Sequence, residues 1–214
     1  MALIVNEIFQ SIQGESLFSG LSCIFIRLTG CNLRCQYCDT EYAWTEGREM
    51  DIAEILNNVI SFNGNLVELT GGEPLFQSET PVLIRKLITN GYTVLIETNG
   101  SMDIGTIEKE CIKIVDIKCP SSNESEKNDY ENLKKLSQKD QLKFVIKDSV
   151  DYDFAKNIIL QYKPQLPSGN ILFSPITASL DPAELAEWVV KDGLGVRLQL
   201  QMHKIIWPNI ERGV

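Results

Sequence analysis

The stretch Ser22-Cys-Ile-Phe-Ile-Arg-Leu-Thr-Gly-Cys31-Asn-Leu-Arg-Cys35-Gln-Tyr-Cys38 decides how the rest of the chain is read. Its first half is a short, nearly continuous apolar run, Ser22–Leu28, of the kind that becomes a strand covered on both faces. Its second half sets three thiols on one loop directly beyond that strand. Three cysteines so close together can converge on one centre, and soft sulfur ligands favour zinc or iron–sulfur. The other cysteines, Cys23, Cys111 and Cys119, make no second short-spaced pair, and His203 is the only histidine. A closed structural zinc site wants a fourth ligand. Three ligands are therefore the full set, and a four-iron cube held by three cysteines keeps one iron open for chemistry. A zinc knuckle completed by a distant residue, or three unrelated thiols, remain the plainer alternatives.

Working outward, strand-like runs recur at Leu66–Thr70, Tyr92–Glu97, Ile112–Lys118, Leu142–Ile146, Asn170–Ser174 and Val196–Met202. Helical patterns lie between them. Ile52, Ile55, Leu56, Val59 and Ile60 form one face of a helix over Asp51–Phe62, with Asp51 as its cap and Glu54 reaching back. Val150, Phe154, Ala155, Ile158, Ile159 and Tyr162 make a second stripe, and Asp181-Pro-Ala-Glu184 opens a third helix with an acidic cap and proline in the first turn. Strand–helix alternation gives a parallel sheet with right-handed crossovers. Seven strands and about five helices suit an α/β fold of the open, partial (β/α)6-type TIM-like barrel, since a closed eightfold barrel typically takes about 250 residues. The polar stretch Ser121–Gln138 is expected to be a surface excursion or lid. No repeat or linker divides the chain, so residues 1–214 are expected to form one domain.

The bulk properties agree. The chain has 214 residues with 20 basic and 29 acidic side chains, a net charge of −9. Scaling with mass predicts roughly 10,000 Å² of folded surface, with about 70% of the unfolded surface buried. An acidic chain offers no general basic face for phosphates, so direct nucleic-acid binding is not expected. No apolar run approaches the roughly 18 residues of a membrane span, and the start Met1-Ala-Leu-Ile-Val-Asn-Glu7 lacks a basic leader. A cytoplasmic protein is the expectation.

The spacing C-x3-C-x-aromatic-C resembles the signature of the radical S-adenosylmethionine (SAM) superfamily. Thr70-Gly71-Gly72-Glu73-Pro74, at the end of the second barrel strand, is similar to that superfamily's GGEP segment. Adjacent glycines there let backbone approach a ligand where parallel sheets bind small molecules. Further pieces resemble the 7-carboxy-7-deazaguanine synthase family: Phe9-Gln-Ser-Ile-Gln-Gly-Glu-Ser16, Cys38-Asp-Thr40, Glu97-Thr-Asn-Gly100, Asp116-Ile-Lys-Cys-Pro120, and Gln201-Met-His-Lys204, matched to that family's final strand. The tail Ile205–Val214 runs on past that strand, a departure whose role at the pocket mouth is open.

What the resemblance implies is a lyase that converts 6-carboxy-5,6,7,8-tetrahydropterin to 7-carboxy-7-deazaguanine with loss of ammonia. It implies a 4Fe-4S cluster on Cys31, Cys35 and Cys38, SAM, and Mg2+ at Thr40. For SAM it implies Tyr37 against the adenine, with Cys38, Asp39, Gly72, Glu73 (accepting from the ammonium), Asp116, Lys118, Ser174 and Pro175. For the pterin it implies Ile12, Gln13, Gly14, Arg27 and Thr70. Arg27 also stands out by itself, because a charge in an apolar strand needs a partner, either a substrate carboxylate or an internal acid. Each polar strand-end group has the plain alternative of a cap or rim residue, as do His203 and Lys204. The implied partners are a flavodoxin-like or ferredoxin-like electron donor and a second copy of the chain in a homodimer. Two rivals stay open: a glycyl-radical-enzyme activating enzyme, and a non-catalytic iron–sulfur or zinc protein.

Overall fold

The computed structural model describes residues 1–176 and 178–214. Nine strands form one sheet: β1 (Ala2–Ile12), β2 (Ser22–Leu28), β3 (Arg48–Asp51), β4 (Leu66–Gly71), β5 (Thr93–Thr98), β6 (Ile112–Ile117), β7 (Gln141–Ile146), β8 (Ile171–Pro175) and β9 (Arg197–Leu198). Their order is β3-β1-β2-β4-β5-β6-β7-β8-β9. From β2 onward through β4 to β9 every pairing is parallel, while β1 and β3 add on antiparallel at one edge. β3 and β9 are not paired to each other, so the sheet curls without closing. The accessible surface of 10064 Å² matches the size-scaled expectation.

Four helices serve as crossovers, α1 (Ile52–Ile60), α2 (Thr80–Thr89), α3 (Ser149–Tyr162) and α4 (Pro182–Asp192), and a fifth, α5 (Met202–Ile206), follows β9. That is one crossover helix fewer than the patterns suggest. The connections after β5 and β6 use short 3-10 turns instead. Asp51 caps α1 as expected, accepting from the Glu54 N–H at 2.7 Å, but the Glu54 carboxylate pairs with Arg48 instead of reaching back. Asp181 caps α4 through the Ala183 N–H at 2.8 Å. Val150 points out of the α3 stripe into solvent, and Tyr152 is buried in its place.

Three elements depart from the sequence reading. The N-terminal β1 was not anticipated; Leu3 and Val5 alternate into the core, yet Asn6 and Glu7 break the alternation. The break is a β-bulge. Val5 pairs with Leu28 and Glu7 with Arg27, so Asn6 is the extra residue. A one-residue slip turns every later side chain to the other face, and here it aims Glu7 at Arg27. Second, the final strand expected over Val196–Met202 is only Arg197–Leu198, and Met202 to Lys204 begin α5. Gly195, with φ +70°, breaks the run just before it. Third, Ser121–Gln138 is not a lid. Ser122, Asn132, Leu133 and Leu136 are buried. The Asn132 amide donates to the Gly100 and Met102 carbonyls, and its oxygen accepts from Ile104 N–H, so the segment covers the sheet where a crossover helix would lie.

The strands are apolar on both faces for much of their length, but unequally. Outward residues such as Ile26, Leu69, Ile96, Val115, Phe144 and Phe173 pack under the helices in the main core. Inside, Cys23, Phe25, Leu66, Leu95 and Ile114 make a smaller apolar plug, with Phe9 stacked on Phe25 at 5.0 Å. Above that plug the inward positions turn polar. No helix among the described residues is long and apolar enough to cross a membrane.

Candidate active site

A cavity of about 600 Å³ opens over the C-terminal ends of the parallel strands, within the usual range for small-molecule sites. Its wall includes every residue singled out from the sequence except one: Ile12, Gln13, Gly14, Arg27, Cys31, Cys35, Tyr37, Cys38, Asp39, Thr40, Thr70, Gly72, Asp116, Lys118, Ser174 and Pro175 all reach it, with His203 and Lys204. The exception is Glu73. It is fully buried behind the strand ends, accepting from Thr98 Oγ1 at 2.8 Å, Leu75 N–H at 2.9 Å and Asn99 N–H at 2.7 Å. In this arrangement its carboxylate ties β4 to β5 and does not line the cavity.

The paired glycines are explained by close approach. Gly71 has φ +136°, and a Cβ there would strike the Leu28 backbone; a Cβ on Gly72 would strike Gly30. The Gly72 N–H is used on the Leu28 carbonyl at 3.1 Å and the Glu73 N–H on Gly30 at 2.8 Å. The end of β4 is thereby laced to the start of the cysteine loop, and Gly72 meets the cavity without a free N–H.

The three thiols face this cavity together. Cys31 accepts from Leu33 N–H at 3.4 Å and from the Asn99 amide at 3.8 Å. Burial pushes all three thiols up, Cys35 to about 11. Among the described residues no three His, Cys, Asp or Glu side chains gather round a single ion. What the loop does show is N–H donation to the Cys31 sulfur, the kind of hydrogen bonding that cysteine ligands of iron–sulfur clusters receive. Around the adjacent wall the Tyr37 hydroxyl, Asp116 Oδ1 and Ser174 Oγ are buried without a protein partner among the described residues. Unmatched buried polar atoms are costly, and these three face the space that a polar cofactor would fill. Lys118 sits 2.8 Å from Asp116. Burial alone would lower its pKa, but that carboxylate and the Cys35 thiol hold it above the ordinary lysine value.

The opposite half is ionic and was largely missed by the sequence reading. Lys143 on β7 lies 2.5 Å from Glu15 and 2.8 Å from Glu97, with only 6% of its side chain exposed. Burial raises both acids. Lys143 and the Gln201 amide at 2.9 Å overcome that for Glu15, which is held low, whereas Glu97 stays raised. The alternation Glu68/Thr70, Gln141/Lys143 and Asp116/Lys118 along otherwise apolar strands was the available signal.

Arg27 uses Nε on Glu7 at 2.8 Å, so the internal-acid alternative holds for that nitrogen. Its guanidinium also sits 5.8 Å from the Phe9 and Tyr42 rings, and its terminal nitrogens have no protein hydrogen bond among the described residues. Thr40 Oγ1 donates to Asp39 at 2.8 Å, and Lys204 lies 2.6 Å from the same carboxylate. Burial would raise the Asp39 pKa, but Lys204 holds it well below the carboxylate range. The tail crosses the mouth: Trp207, Ile210 and Val214 line it, and Arg212 clamps Glu46 at 2.8 and 3.1 Å while lying 4.0 Å from the Tyr42 ring.

Residues 25–139 match the radical SAM superfamily. The 7-carboxy-7-deazaguanine synthase of Koribacter versatilis is 43% identical over 98% of this chain and 99% of its own length. That of Chlorobaculum tepidum is 43% identical over 98% and 96%. Among solved structures, the crystal structure of QueE from Escherichia coli superposes with a TM-score of 0.79 at 23% identity, covering 95% of each chain, a likeness of fold.

Proposed function

This chain belongs to the radical SAM superfamily, among the 7-carboxy-7-deazaguanine synthases, and on that premise we propose how its cavity divides the work of converting 6-carboxy-5,6,7,8-tetrahydropterin to 7-carboxy-7-deazaguanine with release of ammonia. The observation that carries the division is the cavity itself, with three thiols on one side and a lysine shared by two carboxylates on the other.

When bound, a 4Fe-4S cluster supplies the electron that cleaves SAM and so starts hydrogen abstraction from the substrate. Cys31, Cys35 and Cys38 would hold that cluster. Asn99 and the Leu33 N–H orient and moderate the Cys31 sulfur. Tyr37, Asp116 and Ser174 offer unmatched polar atoms to SAM, with Asp39, Lys118 and Pro175 completing the wall. Gly72 permits close approach. The free end of the Arg27 guanidinium receives the substrate carboxylate, and Thr70 with the Ile12–Gly14 turn borders the ring. Glu97 and Glu15 accept N–H groups of the pyrimidine edge. The apolar plug beneath and the tail above keep water from the reacting atoms.

Mg2+ is a hard cation that keeps several waters, and Thr40 can give it one oxygen. Asp39 is already neutralised by Lys204, so Thr40 would hold the ion through a neutral oxygen, with water completing its shell. The chain acts as one domain, in a cytoplasmic homodimer reduced by a flavodoxin-like or ferredoxin-like donor.

The test is deoxyadenosine formation by anaerobically reconstituted protein, with the carboxypterin or with a glycyl-radical enzyme as co-substrate. Turnover only with the carboxypterin supports the reading. Turnover only with the protein substrate supports the activating-enzyme alternative instead.

A further inference from the structure

One buried acid has no part in the division above. Glu68 lies on the inward face of β4, one layer below Thr70 and opposite Phe25 of β2 and Leu95 of β5. It is 2% exposed and borders the cavity floor. Among the described residues no cation forms an ion pair with it, and its hydrogen-bond partner is the side-chain amide of Gln13. That amide is also engaged at its other end, where Gln13 Oε1 accepts from Glu15 N–H at 2.6 Å. Both ends of Gln13 are therefore committed, and Gln13, 3% exposed, has little left to offer a ligand. The turn continues the chain of contacts. Glu15 meets Lys143 and Gln201, and the Gly14 carbonyl accepts from Met202 N–H at 2.8 Å.

We infer that Glu68 is a positioning residue for the substrate half: by holding the Gln13 amide it sets the Gln13–Glu15 turn and keeps Glu15 on Lys143, so that its loss weakens pterin binding while leaving SAM binding untouched. This deepens the reading of the cavity as a carboxypterin site and rests on it. The groups facing Glu68 are Glu15 from the turn, Glu97 from β5, Lys143 from β7, Cys23 from β2 and Cys111 just ahead of β6. A single ammonium already serves Glu15 and Glu97. A third charge on the floor has only that shared ammonium to balance it, and burial, with Glu97 next, raises the Glu68 pKa to about 8. At neutral pH Glu68 is a carboxylic acid, able to accept from Gln13 with one oxygen and to donate with the other.

The sign follows. A carboxyl raised from 4.5 to about 8 binds more protons folded than unfolded between those values, so it removes stability as pH rises through that window. Its ionisation near pH 8 also sets a repulsive charge beside Glu15.

The experiment compares wild type, Glu68→Gln and Glu68→Leu in two readouts. One is KM for the carboxypterin and for SAM in the reconstituted enzyme. The other is equilibrium binding of 6-carboxypterin to the same protein, followed by the ligand's fluorescence. Glu68→Gln keeps a neutral acceptor and donor, so both pterin constants should stay within about threefold of wild type at pH 7. Glu68→Leu should raise both at least about tenfold, with the SAM KM and the visible spectrum of the cluster unchanged. Between pH 7 and 9 wild type should lose pterin affinity more steeply than Glu68→Gln, the ligand's own ionisation entering both alike. Should Glu68→Leu fail to fold, that pH comparison decides. Glu68→Gln as impaired as Glu68→Leu, Glu68→Leu as good as wild type, or identical pH slopes would each overturn the inference. A wild-type enzyme that cleaves SAM but never turns over carboxypterin sinks the substrate reading instead.

Discussion

The two halves of the cavity are built in opposite ways. The cysteine half is local: its three sulfurs lie on one loop and need only a turn to face the same side. The ionic half is assembled from distant pieces. Glu15 from the first turn meets Gln201, 186 residues later, and Lys143 and Glu97 come from strands two places apart in the sheet. A local ligand set tolerates movement of the surrounding scaffold, because its spacing is covalent. A distributed one depends on every strand keeping its register, and each charge in it is desolvated unless the others arrive.

Substitutions can break or sharpen this contrast. The largest effect belongs to the local half: Cys35→Ala should abolish deoxyadenosine formation while leaving the far-ultraviolet circular dichroism unchanged. A fold lost with that one thiol would make the cysteine loop structural and erase the contrast. Lys143→Met should act the other way, on the fold first. It strands Glu15 and Glu97 beside each other, at a cost of about 3–5 kcal/mol, or roughly 10 °C in melting temperature. Its stability should recover as pH falls, since protonating the two acids removes the repulsion; a melting curve indifferent to pH would mean the pair is not the cause.

Arg27→Ala comes next. A charged hydrogen bond is worth about 1.5–3 kcal/mol, so the carboxypterin KM should rise about tenfold or more while that of SAM stays nearly fixed; equal changes in both would refute the division of the cavity. The smallest effect is expected of Arg212→Ala at the mouth. That ion pair is half exposed, and such pairs contribute about 0–1 kcal/mol. It should shift the carboxypterin KM less than about threefold and the melting temperature hardly at all. A larger loss would show that the tail orders the substrate half.

Much of this was legible in the sequence, unevenly. The six main parallel strands, the caps of α1 and α4 and the cysteine loop are statements about neighbours in the chain, and periodicity and spacing report on neighbours. β1 was missed because its bulge interrupts the alternation at Asn6. The final strand was overdrawn because Leu198 and Leu200 look like strand residues, while Gly195 and the docking of Met202 on Gly14 decide otherwise. The polar stretch after β6 looked like a lid because a segment that buries Asn132 by hydrogen-bonding it to backbone is, by composition, indistinguishable from a solvated loop.

The same limit separates the residues of the site. The sequence by itself determined which strand ends carry thiols, glycines and lone charges, for those follow from residue type and spacing. Only the tertiary structure decided that Glu73 turns away from the cavity, that Arg27 meets Glu7, and that Lys143 holds Glu15 against Glu97. The reason is electrostatic. Whether a buried charge is a ligand, a brace or a liability depends on which opposite charge lies within about 3–4 Å, and that distance is set by sheet curvature, bulge and register, none of which a single stretch of chain contains.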